Sequence, residues 1–390
     1  MKKLYNVMVA LILASLILAA CAAPTTPAPV PTEAPEETMA PTEAMTEAPT
    51  EVMTEAPTEA PASDLKIGVV TDVGQLEDKS FNQASYEGGQ AAAEALGAQF
   101  DVIVTQNISD YKQNLQTFID QGFNVIITVG FLMATDTAIA AKENPDVKFI
   151  GVDQNICVDA EGAPDSTFTC AGDAAALLPN YQGILFAEEQ AGYLAGIVAA
   201  SISETGTIGS VAGTNLPAVV AYIAGYEAGA KSINPDIKTL TQEVNPNPAQ
   251  GFNDPATGKA IAQQFIGQQA DVLFQVAGLT GQGVLEAACD AGVYGIGVDV
   301  DQVETLPNLS KCIVTSAEKK LKDTIQAVAE SAVTDEFKAG EVFYNAASEP
   351  PAIGLAPYHD LESVITPEIQ AKLDEAFEAM KSGSLEIPRK

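Results

Sequence analysis

The sequence contains one histidine, His359, and no tryptophan among its 390 residues. A zinc site built from several histidines, or catalysis by two histidines, is therefore excluded. Basic residues are also scarce, because 19 Lys and Arg stand against 52 Asp and Glu, for a formal net charge of −33. A nucleic-acid-binding protein needs a basic surface, and so does a protein that docks onto anionic lipid through a basic patch. The composition argues against both classes.

Recurrent enzyme motifs are also missing. The sequence has no Gly-x-Ser-x-Gly elbow and no phosphate-binding loop. Gly281-Gln-Gly283 has Glu286 where a dinucleotide fingerprint needs its third glycine. The acidic pair Asp299-Val-Asp301 has no further ligands close by in sequence, so hydrogen bonding is favoured over metal binding. We therefore expect no enzyme activity, no catalytic residues, no metal site and no cofactor.

The first 21 residues have the pattern of a secretory signal. Two lysines precede a short apolar run, which ends in Leu18-Ala-Ala-Cys21. This ending resembles the lipobox of bacterial lipoproteins, in which the Cys is lipidated after cleavage. We expect residues 1–21 to be this signal and Cys21 to carry a lipid anchor, placing the protein outside the cytoplasm on the bacterial cell membrane. The alternative is an ordinary cleaved signal in which Cys21 is incidental.

Residues 22–63 are a linker of near-repeats rich in Pro, Thr and Glu. They include eight Glu and no Asp, Lys or Arg. Proline favours extended backbone and the glutamates repel one another, which predicts a disordered tether. The chain from Asp64 onward keeps 44 acidic and 17 basic residues, a net charge of −27, so the folded part is itself strongly acidic.

From Lys66 onward, apolar runs of strand type alternate with helical segments. The pattern predicts one series of β-α units from Lys66 to Val152 and a second from Ala191 to Val298. Two doubly wound α/β lobes with parallel sheets follow from it, with a cleft between them. Ligands of such sheets lie at the carboxyl ends of the strands.

Polar loops follow the predicted strands at these ends. They carry carboxylates, amides and embedded aromatic rings, as in Asp72 to Gln83, Asp153-Gln154, Asn245 to Asp254 and Asp299 to Gln302. Carboxylates can accept hydrogen bonds from hydroxyl or ring N–H groups, and aromatic rings can stack on a flat ligand. Asp and Asn also cap helices, and for Asp78 and Ser80 we favour that role. Together the loops predict a polar cleft lined by aromatic rings.

Several of these strings resemble the basic membrane protein family, the substrate-binding lipoproteins of ABC transporters that include purine-nucleoside receptors. The most specific are Asp78-Lys-Ser-Phe-Asn-Gln83 and Gly297-Val-Asp-Val-Asp-Gln302, and the resemblance runs from about Lys66 to Lys319. It implies a type I periplasmic-binding fold, with two lobes joined by a hinge that closes on a nucleoside. The expected lobes are residues 64–183 with 316–340, and residues 184–315 with 341–390.

The resemblance also implies roles for individual residues. Phe81 and Phe252 match the two rings that sandwich the base. Asp72, Asn82 and Asp153 match positions on the base side, and Gly278 would contribute backbone. Asp299 and Lys319 match positions associated with the ribose, although Lys320 follows directly and the assignment could shift to it. The segment from Asn155 to Asn180 departs from the family pattern as an insertion beside Asp153.

Four cysteines remain after Cys21, an even number that permits disulfides outside the cytoplasm. Cys157 and Cys170 bracket the insertion, and Cys289 and Cys312 form a candidate second pair. Other pairings and buried free thiols stay open.

The resulting hypothesis is a monomeric, lipid-anchored receptor that captures a nucleoside and delivers it to an ABC permease in the membrane. The resemblance to the family implies a purine nucleoside. No nucleic acid is expected as a partner. One alternative is a binding lipoprotein for a sugar or another small polar metabolite, and another is a ligand-sensing receptor. A hydrolase or transferase is disfavoured by the lack of a nucleophile and base set.

Overall fold

The computed structural model describes residues 64–390. The expected signal peptide, the linker and Cys21 lie outside the described residues. Every helix within the described part of the chain is too short or too polar to cross a bilayer.

The first lobe is built on a six-stranded sheet in which every strand runs parallel to its neighbours. Its order is β11-β5-β4-β3-β1-β2. The central strand β3 is buried along its whole length, as expected for a parallel sheet covered on both faces. The strands are β1 (Lys66–Val70), β2 (Gln99–Ile103), β3 (Val125–Val129), β4 (Lys148–Val152), β5 (Tyr181–Phe186) and β11 (Gly340–Tyr344).

The second lobe repeats this plan in a sheet of order β12-β10-β9-β8-β6-β7. Its short edge strand β12 is antiparallel to β10, and the other pairs are parallel. The strands are β6 (Thr207–Ala212), β7 (Lys238–Glu243), β8 (Val272–Val276), β9 (Tyr294–Asp299), β10 (Ile313–Lys319) and β12 (Ile353–Leu355).

Helices cover both sheets, as the alternating pattern predicts. In chain order they are α1 (Phe81–Leu96), α2 (Tyr111–Asp120), α3 (Ala134–Glu143), α4 (Ala174–Leu177), α5 (Glu188–Ile202), α6 (Pro217–Ile233), α7 (Pro248–Gly251), α8 (Pro255–Gly267), α9 (Leu279–Ala291), α10 (Gln302–Thr305), α11 (Leu321–Ser331) and α12 (Pro367–Lys381). Short 3-10 turns occur at Ile108–Asp110, Phe131–Met133, Pro307–Leu309 and His359–Val364. Two α/β lobes of one architecture confirm the expected fold class.

The chain crosses between the lobes three times, each time at the end of a strand. It leaves the first sheet after Phe186, returns after Lys319 and leaves again after Tyr344. The boundaries expected from the sequence, at 183/184, 315/316 and 340/341, instead fall within or at the start of β5, β10 and β11. These strands run through to the cleft edge before the chain changes lobe.

Two helices of the second lobe approach each other closely through glycines. A Cβ on Gly192 of α5 would lie 2.1 Å from the Tyr222 carbonyl oxygen of α6, and a Cβ on Gly225 would lie 2.1 Å from the Glu189 carbonyl oxygen. Only glycine allows backbones this near. The contact fixes the start of α5 and the ring of Tyr222, and both adjoin the cleft.

Candidate functional site

One cavity lies where the carboxyl ends of both sheets meet. Strand ends from the first lobe contribute one wall, and strand ends and the start of α6 from the second lobe contribute the other. The cavity is lined by all eight residues singled out from the sequence, which are Asp72, Phe81, Asn82, Asp153, Phe252, Gly278, Asp299 and Lys319.

Asp72 is held in one corner of the cavity by neighbours from three elements. Its Oδ1 accepts hydrogen bonds from the Val73 N–H, at 2.7 Å, and from the Tyr111 hydroxyl. Its own N–H donates to Asn82 Oδ1 at 3.2 Å. Burial raises the pKa of Asp72 to about 6, and the hydrogen bond from Tyr111 opposes that rise. This carboxyl group therefore keeps its proton to a higher pH than a solvent-exposed aspartate does.

Gly130 provides the space for that carboxyl group. It follows β3 with a φ of +98°, and a Cβ there would lie 2.0 Å from Asp72 Oδ2. Any side chain at this position would displace Asp72 and strain the backbone.

The two candidate capping residues at the start of α1 have different roles. Asp78 caps the helix, since its carboxylate accepts from the N–H groups of Ser80, Asn82 and Gln83. Burial raises its pKa to about 7. Ser80 makes no side-chain cap, and the expectation for it is wrong. Its hydroxyl instead donates to Asp299 Oδ2 at 2.6 Å, joining the first lobe to the second.

Aromatic rings line the cavity from both lobes. Phe81 begins α1 in the first lobe, and Phe252 follows α7 in the second. Phe252 is seated against two glycines, because a Cβ on Gly213 would lie 2.4 Å from its ring and one on Gly278 would lie 3.7 Å from its Cβ. Tyr222 of α6 also lines the cavity.

Lys319 lies at the floor of the cavity among three carboxylates. Its Nζ is 2.5 Å from Asp153 Oδ2, 3.7 Å from Glu188 Oε1 and 3.8 Å from Asp299 Oδ1. The ammonium also lies 4.8 Å from the centroid of the Phe81 ring. Lys320 points away from this group and pairs with Glu318 at 2.5 Å. The cavity-lining residue of the two lysines is therefore Lys319.

The floor is acidic overall, and burial governs its protonation. Burial lowers the pKa of Lys319, but Asp153, Asp299 and Glu188 outweigh it and hold that pKa above its ordinary value. Burial raises the pKa of Asp299 and raises that of Glu188 to about 7, while Lys319 opposes both shifts. Asp153 Oδ1 is buried and finds no hydrogen-bond donor among the described residues.

Sequence reasoning missed several residues of this site. Glu188, Tyr111 and Tyr222 contact the eight predicted residues, and Leu216 to Val219 line the cavity at the start of α6. One signal for Glu188 was present, because Glu188 and Glu189 open a helix that is otherwise apolar. A buried acid needs a cation, and the structure supplies Lys319 and Arg389.

The structure pairs the four cysteines of the described chain as Cys157 with Cys170 and Cys289 with Cys312. The first pair closes a loop within the insertion, which Glu341 of β11 holds through the Asn155 amide and the Ile156 N–H. The insertion is thus attached to the edge strand β11, which β5 separates from β4, the strand that leads to Asp153.

His359 lies outside the cavity lining, with its Nε2 2.6 Å from Asp301 Oδ2. Across residues 64–390, His, Cys, Asp and Glu side chains form no group of three or more that could hold a metal ion.

Comparison with models of protein families identifies the family of this chain. Residues 65–389 match the model of the Bmp family, described as PnrA-like ABC transporter substrate-binding proteins. The chain belongs to the Bmp family. Members of this family are extracytoplasmic substrate-binding proteins of ABC transporters and are not enzymes.

Named relatives agree with the Bmp assignment. The chain is 29% identical to the ABC transporter nucleoside-binding protein BmpA of Lactococcus lactis, over 84% of this chain and 90% of that protein. It is 27% identical to Basic membrane protein A of Borreliella burgdorferi, over 83% and 87%. Among solved structures, an ABC transporter solute-binding protein from Aeropyrum pernix K1 has a TM-score of 0.70 at 22% identity, covering 84% of this chain and 94% of that one. At that identity the structural match supports the fold alone.

Proposed function

We propose that this Bmp-family protein binds a neutral nucleoside in the cavity between its lobes and presents it to an ABC permease. The observation that carries the proposal is that one phenylalanine from each lobe, Phe81 and Phe252, lines the same cavity as the carboxylates of Asp153 and Asp299. A flat base fits between aromatic rings, and a sugar rich in hydroxyl groups supplies the donors that carboxylates accept. The Lactococcus lactis relative is named as a nucleoside-binding protein, which is consistent with this ligand class.

The charge of the floor favours a nucleoside over a nucleotide. Lys319 is the one cation within 4 Å of Asp153 and Asp299 in the described chain, and it is already shared among three carboxylates. A phosphate would face these carboxylates without a free basic partner, which is unfavourable at short range. A neutral ligand avoids that cost and can donate to Asp153 Oδ1, which is otherwise unpartnered.

The residues divide into two groups in this proposal. Asp72, Asn82 and Asp153 contact the base side, where polar edges give discrimination that stacking does not. Asp299 accepts from the ribose hydroxyls with Lys319 beside it, and Gly278 contributes backbone. Ligand contacts on both lobes stabilise the closed state, which the permease would recognise.

The remaining parts of the proposal concern the N-terminus and the ligand's base. We infer that Cys21 carries a lipid anchor and that the acidic linker keeps the monomeric binding domain at a distance from the membrane. A purine is the preferred base in this proposal, because its larger ring system offers more area to two phenylalanines.

A thermal-shift panel tests the ligand class. Purine nucleosides, pyrimidine nucleosides, nucleoside 5′-monophosphates and free sugars would be compared at equal concentrations, because ligand binding to the folded state raises the melting temperature. The proposal expects a concentration-dependent rise with nucleosides and a much smaller rise with monophosphates. A rise with sugars alone would establish the alternative, a sugar-binding protein of the same fold.

A further inference from the structure

The C-terminal tail reaches the place where the chain crosses between the lobes. Arg389 follows α12, which packs on α5 of the second lobe. Its two terminal nitrogens donate to the Phe186 carbonyl oxygen at 3.3 Å, and its guanidinium lies 5.0 Å from the centroid of the Phe343 ring. Phe186 and Phe343 belong to β5 and β11 of the first sheet. A residue at the end of the second lobe therefore contacts two strands of the first.

Glu188 connects this arginine to the ligand cavity. Its Oε2 accepts from Arg389 Nη2 at 2.9 Å, while its Oε1 faces Lys319 Nζ at 3.7 Å. The Glu188 side chain is 3% exposed and that of Arg389 is 39% exposed, so water screens the contact with Lys319 less than the contact with Arg389. The Glu188 carboxylate thus contacts Arg389 through one oxygen and faces Lys319, at the cavity floor, through the other.

Arg389 offsets part of the excess negative charge in this group. Asp153, Glu188 and Asp299 are three carboxylates within 4 Å of Lys319, and Lys319 alone cannot neutralise them. Without Arg389, Glu188 would lose the cation that holds its Oε2, and its buried carboxyl group would be free to reorient or to take up a proton. Lys319 would then lose one of the three carboxylates that hold it in place.

We propose that Arg389 is a positioning residue for ligand binding, which holds Glu188 so that Lys319 stays between Asp153 and Asp299. Arg389 does not touch the cavity and acts through Glu188. The proposal rests on the proposed function only for its affinity measurement, because the position of Lys319 can be measured without ligand.

A matched control is present at the same arginine. Glu189 also pairs with Arg389, through Nη1, but it has no contact with Lys319. Loss of Glu189 removes one ion pair of Arg389 and leaves the link to Lys319. A purely structural role for Arg389 predicts similar effects from the two glutamates, whereas a positioning role separates them.

The test measures the affinity for a purine nucleoside by calorimetric titration. Arg389→Gln and Glu189→Gln are compared with the wild type, and the double variant Glu188→Gln/Arg389→Gln is compared with Glu188→Gln. Arg389→Gln is expected to weaken binding at least tenfold and Glu189→Gln less than twofold. In the Glu188→Gln background, Arg389→Gln is expected to change affinity less than twofold, because the link it acts through is gone. An equal loss in both backgrounds, or no loss in either, would overturn the proposal.

A second measurement needs no ligand. The Cε and Nζ resonances of Lys319 are followed by NMR in lysine-labelled protein, with Lys319→Met for assignment. Arg389→Gln is expected to shift them and Glu189→Gln to leave them in place, whereas unchanged resonances in Arg389→Gln would refute the proposal. If the wild-type protein binds no nucleoside, the proposed function fails and this measurement still decides the role of Arg389.

Discussion

Lys319 and Asp153 form an ion pair of 2.5 Å that joins the two sheets across the ligand cavity. Lys319 ends β10 of the second sheet, and Asp153 follows β4 of the first. Both side chains are buried, so the pair is part of the interior and not a surface contact. The lobes are therefore joined by an ion pair whose members also line the cavity.

Replacement of Lys319 should be costly. Lys319→Met leaves Asp153, Glu188 and Asp299 without their shared cation, and breaking a buried pair in this way costs about 3–5 kcal/mol of unfolding free energy. Nucleoside binding should be lost as well. Lys320→Met is the matched control, since Lys320 forms a half-exposed pair worth at most about 1 kcal/mol. Urea unfolding measures the unfolding free energy of both variants. Equal losses in the two variants would show that Lys319 and its three carboxylates are not a buried network.

The aromatic pair can be tested one ring at a time. Phe81→Ala and Phe252→Ala should each weaken nucleoside binding by about 5- to 150-fold, because stacking of a base on an aromatic side chain contributes about 1–3 kcal/mol. Phe168→Ala is a control at a ring that is 76% exposed on the insertion. Calorimetric titration checks all three, and wild-type affinity in either cavity variant would remove that ring from the site.

Gly130 should be intolerant of a side chain for a local reason. In Gly130→Ala the new Cβ would lie 2.0 Å from Asp72 Oδ2, so we expect displaced Asp72 and at least tenfold weaker binding. Gly97→Ala is the control, because Gly97 also has a positive φ but open space around it. That control should lose about 1 kcal/mol of stability and bind normally. Equal binding by the two variants would contradict the importance of the Asp72 corner.

The raised pKa of Asp72 predicts a pH dependence of stability. Between the ordinary pKa of 3.8 and about 6, the folded protein holds a proton that the unfolded chain has released. The contribution of Asp72 to the unfolding free energy is therefore largest below pH 4 and falls as the pH rises to 6. The variant Asp72→Asn should gain stability relative to wild type over this window, by at most about 3 kcal/mol. A difference between the two proteins that does not vary with pH would refute the raised pKa.

The insertion disulfide is open to a direct check. Cys157 and Cys170 close a loop with a sequence separation of 13 residues, and such a crosslink contributes about 3 kcal/mol in the chain-entropy model. Mass spectrometry of peptides from the unreduced protein should recover Cys157 linked to Cys170, and Cys289 linked to Cys312. Free thiols in unreduced protein would be the opposite result. We also expect a Cys157→Ser/Cys170→Ser variant to bind ligand more weakly, because the insertion that this disulfide closes begins two residues after Asp153.

Much of the fold could be predicted because it depends on local patterns. Apolar runs that end near Asp72, Asp153 and Asp299 place these residues at the carboxyl ends of parallel strands. In the fold, the carboxyl ends of both sheets meet at the cavity. The contacts that complete the site connect distant residues. Ser80 and Asp299 are 219 residues apart, and Arg389 and Glu188 are 201 apart. A Ser before a helix is typical of a cap, so the sequence around Ser80 gave no sign of its hydrogen bond to the other lobe. The sequence around Glu188 likewise gave no sign of which cation would pair with it.

Calorimetric titration of the wild-type protein with a purine nucleoside and with its 5′-monophosphate tests the central claim most directly. The acidic floor around Lys319 predicts saturable, one-to-one binding of the nucleoside and binding of the monophosphate that is at least tenfold weaker. Tighter binding of the monophosphate, or no heat with any nucleoside, would contradict a cavity built for a neutral nucleoside.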